Sequence, residues 1–167
     1  MSLRAVGDEG LRLQALSTGL VQASLLGSQG VIEGEKAGLK VIVAAADVIE
    51  SLPFAGVTTT LAKLKENPQQ IKRVLRAGLR GLRYVQDNKA GTVDVIQSWY
   101  RVEREIAAST YDLARKSFSA NGEVNDKGIL LSMEFARSIG KFEKEISPSE
   151  IVDFNLLREV KKELVWR

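Results

Sequence analysis

The apolar positions of this chain fall into two regimes. In the first third they form short runs set off by glycines. Residues 10–17 (GLRLQALS) place Leu11, Leu13 and Leu16 among polar neighbours and stop before Gly19, a pattern that predicts a short helix. Residues 21–26 (VQASLL) are a brief apolar run bounded by glycines, which predicts a buried strand. A second short helix is expected over 31–37, closed by Gly38, and a second strand over 39–45 (LKVIVAA). The helix, strand, helix, strand rhythm predicts parallel pairing through a helical crossover, hence an α/β class.

After Pro53 a further strand is expected over 54–60 (FAGVTTT), where β-branched residues are dense. From Leu61 onward the pattern is helical. Asn67 and Pro68 form a helix-start pair, and Ile71, Val74, Leu75, Leu79, Leu82 and Val85 recur at helical spacing through Asp87. Further helices are expected over 92–99, 103–118, 126–139 and 155–164, with a turn at Asn121 and Gly122. No internal repeat or low-complexity segment interrupts the chain.

Composition narrows the chemistry. The 24 lysines and arginines nearly balance the 21 acids, leaving a net charge of +3, so no nucleic-acid partner is expected. The chain has no cysteine and no histidine. That removes disulfides, thiolate nucleophiles, the usual general base near neutral pH and the commonest metal ligands. The expectation is therefore no enzyme, no catalytic residues, no metal and no cofactor. The longest apolar stretch, 41–46, is far shorter than the roughly 20 residues that span a bilayer. The beginning of the chain has no basic segment followed by an apolar run, so no export signal is expected in it.

One short motif is placed where ligands sit in open α/β sheets. Gly27-Ser28-Gln29-Gly30 lies between an expected strand and an expected helix, where free backbone N–H groups can hold an anion. The competing reading is an ordinary turn whose glycines supply backbone freedom. Lys72, Arg73, Arg76, Arg80 and Arg83 form a basic stripe along the expected 68–87 helix. An RNA or membrane surface is the alternative to a solvated face, which is the reading preferred because the net charge is small and no aromatic residues interleave as stacking platforms. Glu33 with Glu35, and Glu103 with Glu105, are spaced so that they do not meet on a helix, and carry no catalytic role. Trp99, Tyr100, Tyr111 and Phe118 are read as core or rim packing.

Several segments, in order, carry a resemblance. Residues 12–16 (RLQAL) with Gly19 and the run after it look like a helix preceding a G-x-V-D-A strand. Residues 35–41 (EKAGLKV) are similar to an A-G-x-K-V segment, and 53–59 (PFAGVTT) to a returning strand. Residues 64–68 (LKENP) with 74–77 (VLRA) resemble an E-N-P helix start, and 122–128 and 153–157 fit the tail. Together they resemble the C-terminal half of the extracytoplasmic solute-binding proteins of nitrate, sulfonate and taurine ABC importers, a class that includes pyrimidine-precursor binders. Gln22 stands where that class has an acidic residue, and Gly27-Ser28-Gln29 replaces its small-Pro-Pro turn.

The resemblance implies a partial type II periplasmic-binding-protein-like α/β fold. Residues 1–50 would be part of the second lobe, and 51–167 a return to the first lobe with a strand and C-terminal helices. It implies a substrate-binding fragment of an importer for a small anion or heterocycle, periplasmic or extracytoplasmic. Its partners would be the solute and a membrane permease. Gly27, Ser28, Gln29, Pro53 and Phe54 would line the ligand cleft. The alternative is an interaction or regulatory module without transport. Because half a clamshell leaves unpaired edges, the chain is expected to bind solute weakly alone and to form a homodimer.

Overall fold

The computed structural model describes residues 2–49, 53, 55–140 and 145–165. Among these residues there is no strand. In chain order the helices are α1 (Glu9–Ser17), α2 (Ser28–Lys36), α3 (Ala45–Val48), α4 (Leu61–Glu66), α5 (Pro68–Asp87), α6 (Lys89–Tyr100), α7 (Arg104–Ala114), α8 (Asp126–Ile139), α9 (Pro148–Ile151) and α10 (Asn155–Glu163). A 3-10 turn at Arg115–Ser117 follows α7. The α/β class expected above is thus corrected to all-α, and with it the binding-protein-like lobe.

The physical reason lies in where the strand-like runs find hydrogen bonds. A strand needs a ladder partner, and in 21–26 the bonding goes to a helix instead. The Val21 N–H donates to the Ala15 carbonyl at 3.3 Å, and the Leu25 carbonyl accepts from the Arg12 guanidinium at 2.8 Å. In 39–45 the Leu39 N–H donates back to the Gly34 carbonyl at 2.9 Å, closing α2, and Ala45 already opens α3. Residues 55–60 are irregular and end in Thr60, whose hydroxyl accepts from the Lys63 N–H at 3.1 Å and caps α4. Phe54, which would begin that third strand, lies outside the described residues.

The chain divides into two compact units. The first comprises Met1–Ala45 and Asn88–Ser117. Here α7 packs against α2 and α6, and α1 packs against α2. Small residues permit the approach: Ala15, Gly30, Gly34 and Ala107 are buried, and a Cβ on Gly34 would already touch Leu13 and Leu39. Tyr111 is buried in α7, with the Lys89 ammonium and the Arg115 guanidinium 5.7 and 5.9 Å from its ring centre. Lys89 also donates to both carboxylate oxygens of Asp112 at 2.7 Å.

The second unit comprises Ala46–Asp87 and Phe118–Arg167. Its centre is the pairing of α5 with α10. Leu75 and Leu79 on α5, with Leu157, Val160 and Leu164 on or next to α10, recur at helical spacing and close over one another with Phe154. Two ion pairs, Lys72 with Glu159 and Arg76 with Glu163, flank this seam. Gly122, with φ of +80°, brings the loop before α8 onto Leu79 and Leu157; a side chain there would meet both and strain the backbone.

Candidate functional site

The Gly27-Ser28-Gln29-Gly30 motif folds as the entry to α2, not as a loop between strand and helix. Gly27 is its N-cap residue, and Ser28 its first. A helix start leaves backbone N–H groups without partners inside the helix, and Gly27 has no side chain to offer them. Glu9 fills that role from α1. Its Oε1 accepts from the Gly27 N–H and from the Gly30 N–H, each at 3.0 Å. The negative charge also sits at the positive end of α2, where it is favoured. Gly30 is buried, and a Cβ on it would lie 2.2 Å from Glu9 Oε1, so only glycine admits this contact without moving the carboxylate.

The expected geometry, backbone N–H groups converging on an anion, is therefore present, and the anion is the chain's own Glu9. The other named positions do not join it. The Gln29 amide donates to Glu33 Oε1 at 3.0 Å, an i to i+4 bond along the helix surface. Ser28 is half-buried in the first turn. Pro53 is exposed and belongs to the second unit, and Phe54 lies outside the described residues. The signal for Glu9 was an acid one residue after a helix-capping aspartate, and its reach to a motif some twenty residues on left no trace in spacing.

The basic stripe on α5 is partly structural. Lys72 and Arg76 are committed to α10, while Arg73, Arg80 and Arg83 are on exposed positions. Of the four aromatics, Tyr111 is core as expected. Trp99 and Tyr100, at the end of α6, are exposed, as is Phe118.

A charge cluster that the sequence did not suggest lies in the second unit. Glu123 accepts from Arg158 Nη2 and from Lys161 Nζ, both at 2.9 Å. The Arg158 hydrogen bond, aided by Lys161 and opposed by partial burial, holds the Glu123 carboxyl below its ordinary 4.5. Between α8 and α9 a groove of about 630 Å³ is lined by Leu130, Met133, Glu134, Arg137, Ile146 and Pro148, among others. It offers a mixed apolar and charged surface, in which the Ser147 hydroxyl donates to the Glu150 carboxylate at 3.0 Å as part of the capping box that opens α9. Among the described residues no three acidic side chains converge as a metal site, and no helix is long and apolar enough to cross a membrane. No family model, no curated protein and no solved structure matches the chain.

Proposed function

We propose that this chain is a helical interaction module, which works by docking apolar surface onto another polypeptide. The observation that carries the reading is its exposed area, 12725 Å². A compact monomer of 18.3 kDa exposes about 8,100 Å², and two separate compact bodies of half that mass would together expose about 9,800 Å². On the order of 3,000 Å² of extra surface is left even against that second figure. A standard interface needs only about 800 Å² from each partner.

Large apolar side chains stand on that surface. Leu25, Ile42 and Trp99 in the first unit, and Leu61, Phe135 and Ile139 in the second, are large exposed side chains. Single exposed apolar residues are normal, but this number of them beside so small a buried core is what interfaces present before they close. Light scattering on the full chain at micromolar concentration tests the reading. A mass above the 18.3 kDa monomer is expected. A monodisperse monomer that binds no hydrophobic dye contradicts it.

A second reading is the function implied by the resemblance, the binding component of an importer for a small anion or heterocycle. It has in its favour the order of the sequence segments quoted above, and it now has to do without an α/β lobe. Calorimetric titration of the chain with nitrate, taurine and a short alkanesulfonate tests it; no heat of binding with any of them sinks it.

A further inference from the structure

We infer that Val41, Ile42 and Val43 form a self-complementary edge through which two copies of this chain pair as antiparallel strands. The inference rests on the reading of the chain as an interaction module and names its partner. The three residues lie between α2 and α3 with no secondary structure of their own. All three are β-branched and exposed, Ile42 to 83%. Their backbone N–H and C=O groups have no hydrogen-bond partner among the described residues. An uncharged β-branched run with free backbone groups is a template for strand pairing, and proteins usually guard such a run with charge or proline. Here residues 41–46 (VIVAAA) contain neither.

Charge decides what pairs with it. A two-fold axis through Ile42 sets Ile42 opposite Ile42, Val41 opposite Val43 and Lys40 opposite Ala44, so apolar residues meet and no like charges do. A parallel in-register pair would stack Lys40 on Lys40, and so would an antiparallel pair centred on that residue. The sequence thus favours one closed, two-fold arrangement over open stacking. Among the described residues the chain has no strand of its own to occupy the edge, and its surplus surface exceeds what a dimer must bury.

The test uses the full chain, whose lack of cysteine makes introduced thiols unambiguous. Under mild oxidation Ile42→Cys should form a covalent dimer at least about tenfold faster than Val57→Cys, an exposed control in another irregular segment. Ile42→Lys should raise the dissociation constant seen in sedimentation by about tenfold or more, with helical circular dichroism unchanged. If the chain associates, yet the two thiols cross-link at equal rates and Ile42→Lys has no effect, this edge is wrong and another surface serves the module. If the chain does not associate at all, the edge falls; if it also binds no hydrophobic dye, the module reading falls with it.

Discussion

Glu9 shows how one side chain can answer two needs at once. Its carboxylate satisfies two free N–H groups at the start of α2 and ties that helix to α1. Removing it as Glu9→Ala should cost about 1 kcal/mol, the usual worth of a helix cap. Gly30 sharpens the test. Alanine is the better helix former by up to about 1 kcal/mol, yet in the native chain a methyl at this position displaces the carboxylate. Gly30→Ala should therefore be near neutral in the native background and stabilising in the Glu9→Ala background. Urea unfolding of the four proteins in this cycle measures the coupling. Additive effects would mean that Glu9 does not hold the α2 start.

At the scale of elements, the loop before α8 and the helix α10 are joined through Glu123. Folding lowers the pKa of this carboxyl below 4.5. Its contribution is thus fully present above that value and is lost as pH falls through the lower folded value. Glu123→Gln should reduce stability by about 1 kcal/mol at neutral pH. The gap to the native chain should close in strong acid, as read by urea unfolding at the two pH values. A gap that persists in acid would assign the effect to packing and not to charge.

The helices were legible in the sequence wherever apolar residues kept helical spacing over several turns. The expected 68–87 and 126–139 helices coincide with α5 and α8, and α1, α6, α7 and α10 agree within a few residues. The runs expected as strands were misread, because a short apolar run carries no period that separates strand from irregular chain. In 21–26 and 39–45 the deciding facts are distant in sequence or local to a helix end: Arg12 on the Leu25 carbonyl, and the Leu39 N–H on Gly34. The candidate site was half legible. Glycines at a helix start announced free N–H groups, but nothing in the spacing identified Glu9 as their occupant.

For the whole molecule, the central fact is an imbalance between surface and core. Few large side chains are fully buried in either unit, while apolar residues such as Leu25, Ile42, Trp99 and Phe135 face solvent. Hydrophobic burial is the main force available to hold a chain of this composition, so uncovered apolar side chains of this kind favour association. Amide hydrogen exchange of the full chain at low and high concentration tests that claim most directly. Amides around Val41, Ile42 and Val43 should exchange freely in dilute solution and become protected as concentration rises, while those of α5 and α10 should be protected in both. Exchange that is independent of concentration along the entire chain would contradict it.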